Sequence, residues 1–367
     1  MFKPANIIFC AFLLLLAGCA TAPQPAEETP AATGMATNAV SHLPAWRAPI
    51  LPPATNAPPG GQINAPPVRI TRPAPLLAWT SLNRWTAQVK LSPPHLVATT
   101  PITAYALNSP NGVLTLVLGS RDALWNGVEL HLGFAPEIID GQLFVYGVDL
   151  QKNLAPLLTR PPLGFGPRRT IVIDPGHGGI NGGTVSVLDK RPEKEFTLDW
   201  ACRLKPLLEA EGWRVFLTRT NDVDVALSNR VACAELHHAD VFVSLHFNSA
   251  APSRRESGLE TYCLTPVGLP STLTRDYPDV ISQTYPNNDA DEANVQLAVG
   301  LQAALVHGTG EVDRGVRRAR FMGVLQGQRR PAVLIEGGFL SNPAEAQRIE
   351  SAAGRQHLAE ILAHALR

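Results

Sequence analysis

The chain has 367 residues, of which 45% are apolar and 17% charged. That leaves room for about two domains of ~100–200 residues each, with enough apolar material for a packed core, so wholesale disorder is excluded. Thirty-one Lys and Arg balance 31 Asp and Glu. The basic surplus of a general nucleic-acid binder is missing, and no nucleic-acid partner is expected.

The amino terminus reads as an export signal over residues 1–19. Lys3 supplies a positive charge, and residues 7–17 are unbroken apolar. That run is shorter than the ~20 residues needed to span a bilayer. It closes on Leu16-Ala17-Gly18-Cys19, which resembles a bacterial lipobox. The resemblance implies lipidation of Cys19 and a membrane anchor, hence a periplasmic lipoprotein of the cell envelope. Ala20 follows in place of an Asp, which favours the outer membrane. The alternative is an ordinary signal peptide in which Cys19 is incidental.

Residues 20–75 hold 13 of the 33 prolines. Little there can bury apolar area, so the stretch reads as a Pro-rich, disordered tether. Residues 76–160 look like a small α+β, strand-rich domain. Residues 113–118 and 143–146 are short apolar runs, Glu129-Leu130-His131-Leu132 alternates, and Asn126-Gly127 and Asp140-Gly141 are hairpin signals. Residues 119–158 resemble the copper amine oxidase N-terminal-like domain, on Asn126-Gly127, Gly141-Gln142-Leu143-Phe144-Val145 and the closing Leu154-Ala155-Pro156-Leu157-Leu158. The resemblance implies a small α+β module used for positioning; peptidoglycan or partner binding and a plain structural spacer stand as equal alternatives. Copper is not implied, because no His or Cys cluster accompanies it.

Over residues 168–367 strands and helices alternate. Residues 170–174, 214–218, 240–246, 258–264 and 332–336 read as strands. Phe196, Trp200, Leu204 and Leu207 mark a helix that Pro206 should kink or end early. Leu227, Val231 and Ala234 mark a second helix, and residues 291–307 a third. This pattern predicts an α/β fold with a twisted, mostly parallel or mixed sheet and helices on both faces. Cys202 and Cys233 fall in helical patterns and Cys263 in a strand; with no Cys-x-x-Cys they read as buried free thiols, one disulfide pair being the alternative.

Ligands of such sheets bind outside the carboxyl ends of the strands, where several polar residues fall. Asp174-Pro175-Gly176-His177-Gly178-Gly179 follows a strand directly, and its glycines leave His177 projecting. A phosphate-cradling loop fails here: Asn181 stands where the third Gly belongs, and no Lys-Ser/Thr follows. Glu193 opens a helix, where a carboxylate is ordinarily a surface partner of the helix dipole. His246 and Glu336 each end an apolar strand, and a carboxylate there needs a cation or a proton to compensate it. Together His177, Glu193 and His246 make a His₂Glu set suited to zinc with one position open. Glu336 beside them would move protons.

Residues 170–366 resemble the zinc-dependent N-acetylmuramoyl-L-alanine amidase family, the type-3 amidase domain. The motifs run from Ile171-Val172-Ile173-Asp174-Pro175-Gly176-His177-Gly178-Gly179 and Glu193-Lys194-Glu195-Phe196 through Leu217-Thr218-Arg219-Thr220 with Asp222 and Arg230-Val231-Ala232. They continue with Ser244-Leu245-His246-Phe247-Asn248, Asp313-Arg314-Gly315-Val316 and Pro331-Ala332-Val333-Leu334-Ile335-Glu336-Gly337-Gly338. The resemblance implies one Zn²⁺ per domain on His177, Glu193 and His246, with Glu336 as the catalytic acid/base. It implies peptidoglycan as substrate, cut between the lactyl group of N-acetylmuramic acid and L-alanine of the stem peptide. A protein activator is compatible with it. Asn248 is a candidate for holding the substrate or a loop. Arg219 and Arg230 read as structural, pairing with Asp222 or nearby backbone. A catalytically silent wall-binding module and another zinc cell-wall hydrolase, a carboxypeptidase or deacetylase, are the alternatives.

Two stretches depart from the family's pattern. Ile180-Asn181-Gly182-Gly183 stands where Lys-Asp-Pro-Gly is usual. Residues 265–292 form an insertion with Pro266, Pro270, Pro278 and Pro286, expected to be a substrate-facing loop or lid.

Overall fold

The computed structural model describes residues 79–100, 102–166, 169–273 and 279–367. The export signal, Cys19 and the Pro-rich tether lie outside the described residues. No helix among the described residues is long and apolar enough to cross a membrane.

The first part of the chain runs β1 (Trp79–Ser81), α1 (Leu82–Gln88), β2 (His95–Ala98), β3 (Ala104–Ser109), β4 (Gly112–Val117), β5 (Asp122–Trp125), β6 (Val128–His131), β7 (Glu137–Ile139) and β8 (Gln142–Tyr146). Two short helices follow, α2 (Gly147–Asp149) and α3 (Ala155–Thr159), joined by a π-helical turn, Leu150–Leu154. Asn126-Gly127 and Asp140-Gly141 take positive φ at both positions, the geometry of a tight two-residue hairpin turn. They join β5 to β6 and β7 to β8.

The second part runs β9 (Thr170–Pro175), α4 (Glu193–Ala210), β10 (Arg214–Leu217), α5 (Leu227–Leu236), β11 (Val241–Asn248), β12 (Leu259–Cys263) and α6 (Asp291–Thr309). It ends with β13 (Asp313–Arg318), α7 (Gly323–Gln326), β14 (Ala332–Phe339), α8 (Pro343–Glu350) and α9 (Ala352–Ala365). Pro206 lies inside α4 rather than ending it. The ring removes one helical hydrogen bond, but Leu204 and Leu208 on either side of it are fully buried, and their packing carries the helix through.

One sheet of 11 strands joins both parts, in the order β10-β9-β11-β14-β12-β13-β6-β5-β4-β3-β2. β10, β9, β11 and β14 are parallel. β12 runs antiparallel to β14, and β13 runs parallel to β12. β6 then pairs parallel with β13, Val316 opposite Leu130. The strand-rich segment therefore extends the sheet of the second part. β13 is absent from the sequence expectations because Asp-Arg-Gly-Val-Arg-Arg carries no apolar run.

Alternation along the central strands sorts the core into two layers. Ile171, Ile173, Val243, Leu245, Val333 and Ile335 face the layer that holds Phe196, Trp200, Leu301 and Leu362, from α4, α6 and α9. Val172, Phe242, Ala332 and Leu334 face the other, with Ala234 of α5 and Leu325 of α7. Helices cover both faces, and the sheet is mixed.

The described residues of the insertion do not face the strand ends that carry His246 and Glu336. β12 starts beside Glu336, since Glu260 stands opposite it, and Tyr262 stands opposite Leu334. Cys263, which precedes the insertion, therefore emerges at the opposite edge. There Asn287 donates to the carbonyl of Arg330 (2.8 Å), and Arg320 pairs with Asp279. The expected substrate-facing lid is corrected by this reversal of strand direction. The three cysteines of the second part are free; Cys263 is buried, Cys233 half-buried and Cys202 exposed, so only one fits the expectation of a buried thiol in full.

Candidate metal centre

β9 delivers Asp174 and Pro175 to the sheet edge, and the chain then turns sharply, with His177 at φ 61°. Few side chains tolerate that conformation, and here it is over-determined from beneath. Arg230, buried on α5, donates to Asp174 Oδ1 (2.6 Å) and to the carbonyls of Pro175 (2.9 Å) and His177 (2.7 Å). Arg219 donates to the carbonyls of Pro175 (3.0 Å), Gly176 (2.8 Å) and Lys194 (2.8 Å). Ser244 donates to Asp174 Oδ2 (2.7 Å). Both arginines thus serve the backbone around the turn. Asp222 pairs instead with Lys194 (2.6 Å) and accepts from the N–H of Gly179 (2.7 Å).

Gly176 is needed for close approach: a Cβ there would stand 2.3 Å from the His246 ring. His177 and His246 lie edge to face, with ring centroids 4.8 Å apart. Between them sits Glu193, the first residue of α4, 3% exposed. Its Oε2 is 3.0 Å from His177 Nε2 and accepts from the N–H of Thr184 (3.0 Å). Its Oε1 is 3.0 Å from His246 Nδ1 and accepts from the N–H of Phe247 (2.9 Å). Burial works to raise the pKa of Glu193. The hydrogen bonds with His177 and His246 outweigh it and hold the carboxyl well below the usual range. For His177, burial lowers the pKa and the bond to Glu193 raises it, with a net shift upward.

Ligand atoms of His177, Glu193 and His246 all lie within 4.8 Å of one another. Two imidazoles and a carboxylate in that space could hold a metal ion. Glu336 stands next to His246 across the β11–β14 pair and opposite Glu260 across β12. Its Oε2 is shut off from solvent and has no hydrogen-bond partner. Burial, with the Glu193 and Glu260 carboxylates adding to it, pushes its carboxyl well above the ordinary range. A cation at the neighbouring group is the charge this pocket is short of, so the donor set and the orphaned oxygen both fit a metal.

The sequence residues His177, Glu193, His246 and Glu336 are thus brought together from three strand ends and one helix start. Asn248 ends β11 close by. Its side chain accepts from the N–H of Ser249 (2.8 Å) and its carbonyl from Leu340 (2.8 Å). Sequence reasoning missed the support beneath the site: Asp174 as the hub for Arg230 and Ser244, and Glu260 with Arg314 and Tyr262 around it. Asp174 closes an apolar strand, which was a usable signal. Glu260 gave none.

The model of the N-acetylmuramoyl-L-alanine amidase family matches residues 171–367. The chain is 33% identical over 238 residues to the N-acetylmuramoyl-L-alanine amidase AmiC of Escherichia coli O6:H1, covering 58% of this chain and 56% of that protein. It is 33% identical over 241 residues to AmiC of Neisseria meningitidis serogroup B, covering 59% and 55%. The chain therefore spans about half the length of these curated relatives. Among solved structures, the amidase of Clostridium difficile 630 aligns with a TM-score of 0.45 at 30% identity, covering 55% of this chain and 96% of that one. The match over residues 171–367, more than half the chain, shows that it belongs to the N-acetylmuramoyl-L-alanine amidase family.

Proposed function

We propose that the chain is a zinc-dependent peptidoglycan hydrolase that cleaves the amide between the lactyl group of N-acetylmuramic acid and L-alanine of the stem peptide. The observation that carries this is the unpartnered, buried Oε2 of Glu336 next to the His177–Glu193–His246 group. A binding module needs no carboxylate in that place, whereas a hydrolase needs one to move protons. His177 through Nε2, His246 through Nδ1 and the Glu193 carboxylate would hold the ion. Zinc there supplies Lewis acidity toward an amide carbonyl and makes water acidic enough to act near neutral pH.

The chain's own residues do the rest. Arg230 and Arg219 lock the turn that aims His177. Thr184 and Phe247 hold both oxygens of Glu193 with backbone N–H groups. Glu336 takes a proton from the attacking water and returns it to the departing amine of L-alanine. Asn248, at the same strand edge, is assigned to the substrate side. The export-signal pattern ending on Cys19 supports a lipid-anchored enzyme of the cell envelope, with the strand-rich module as its extension toward the wall.

Mass spectrometry of muropeptides incubated with the wild type and with Glu336→Gln tests this, with zinc content measured on both. The wild type should release intact stem peptides beginning with L-alanine, and the variant should bind zinc and release none. Released D-alanine or acetate would instead identify a carboxypeptidase or a deacetylase.

A further inference from the structure

We propose that Asn181 is a positioning residue of the metal centre: its amide oxygen fixes the tautomer and the ring plane of His177, so that Nε2 is the nitrogen that meets the ion. The inference rests on the metal-centre reading above and deepens it.

The loop after His177 is built to bring Asn181 back. Gly178 and Asn181 pair through their backbones, with N–H to carbonyl bonds of 2.8 and 3.1 Å in the two directions. Ile180 at the tip is 96% exposed, so the loop is closed by its own hydrogen bonds rather than by apolar packing. The result sets Asn181 Oδ1 2.9 Å from His177 Nδ1.

The same oxygen accepts from the N–H of Gly183 (3.2 Å). A backbone N–H can only donate, so the atom facing it is the amide oxygen and not the amide nitrogen. An amide oxygen carries no proton, so Nδ1 of His177 must supply one. With Nδ1 committed as the donor, the lone pair that a metal requires is left to Nε2. Nε2 is the nitrogen that faces Glu193 Oε2, at 3.0 Å.

Gly183 completes the arrangement. It has φ +71°, and a Cβ there would stand 2.5 Å from Glu193 Oε2 and 2.6 Å from His177 Cδ2. The residue that orients Asn181 therefore lies against two members of the metal group and leaves them their space.

Asn181 is one of the residues at which this sequence departs from the usual Lys-Asp-Pro-Gly. A carboxylate in its place would accept the same hydrogen bond and make the imidazole more basic. An amide keeps the orientation and leaves the ring less electron-rich. The prediction is thus an order of affinities, with Asn181→Ala weakest and Asn181→Asp at least as tight as the wild type.

The test is zinc affinity of the full chain, by competition with a chromogenic chelator, for wild type, Asn181→Ala, Asn181→Asp and His177→Ala. Cobalt(II) absorption serves as a second readout of ligand geometry. The side chain of Asn181 is exposed, and its backbone bonds survive either substitution. Asn181→Ala should bind zinc about 10–100-fold more weakly with an altered cobalt spectrum, and Asn181→Asp should restore both. Wild-type affinity in Asn181→Ala, or equal weakening in Asn181→Ala and Asn181→Asp, would overturn the inference while leaving the metal centre standing. A wild type that binds no more zinc than His177→Ala would overturn the metal centre itself, and this inference with it.

Discussion

Asp313 on β13 accepts a hydrogen bond from the backbone N–H of Glu129 on β6, at 2.7 Å, across 184 residues of sequence. Its other oxygen accepts from Gln302 Nε2 (2.7 Å) and from the N–H of Gly315 (2.9 Å). This one carboxylate thus ties the strand-rich segment, α6 and β13 together where the two halves of the sheet meet. Asp313→Ala leaves three donors short of a partner and should lower stability by about 2–4 kcal/mol. Urea unfolding followed by circular dichroism measures it. The same experiment on the wild type should show a single transition, because the halves share a sheet; two separated transitions would contradict that.

His131 at this junction makes stability depend on pH. Its Nδ1 meets Asp122 of β5 (2.7 Å), and its Nε2 meets Glu129 of β6 (3.0 Å) and the carbonyl of Arg314 of β13 (3.2 Å). Burial lowers its pKa, as does Arg317 of β13. The hydrogen bonds with Glu129 and the Arg314 carbonyl outweigh them, and the net shift is upward from 6.5. A histidine raised on folding stabilises fully below its unfolded pKa, and that contribution is lost as pH rises through the folded value. Urea midpoints should therefore fall as pH rises above about 6.5. His131→Gln should flatten that part of the profile, and an unchanged slope in the variant would rule the group out.

The candidate site was legible in the sequence because each member ends or opens an element whose apolar run is plain: Glu193 before Phe196 and Trp200, His246 after residues 241–245, Glu336 after residues 332–335. The junction was not. β13 buries Arg318, whose guanidinium is served by Asn153, Cys263 and the carbonyl of Leu264. A strand stabilised by such distant polar partners has no hydropathy period to read. Asn181 was hidden for a related reason, since its role depends on a loop geometry and not on a repeat.

The insertion offers a contrast to the site. Arg320 is 4% exposed; it pairs with Asp279 and donates to the carbonyls of Leu269 (2.8 Å) and Pro266 (3.2 Å). Asp279→Ala leaves that charge uncompensated and should cost about 2 kcal/mol. Because this edge lies at the strand ends opposite Glu336, kcat and KM for muropeptides should stay within about twofold of wild type at a temperature where the variant is folded. A tenfold rise in KM would show that the insertion reaches the substrate after all.

Arg230 should be far less tolerant. It spends its planar fork on Asp174 and on the carbonyls of Pro175 and His177, with Nε on the carbonyl of Val225 (3.0 Å). Lysine in its place keeps a positive charge for Asp174 but cannot reach several acceptors at once. His177 would then lose the clamp that holds its φ of 61°. Arg230→Lys should weaken zinc binding about tenfold, and Arg230→Ala should also lower stability by about 3 kcal/mol, since Asp174 stays buried with one partner fewer. Zinc competition and urea unfolding on the two variants separate the effects. Wild-type zinc affinity in Arg230→Lys would mean that the remaining contacts, chiefly those of Arg219, are enough to hold the turn.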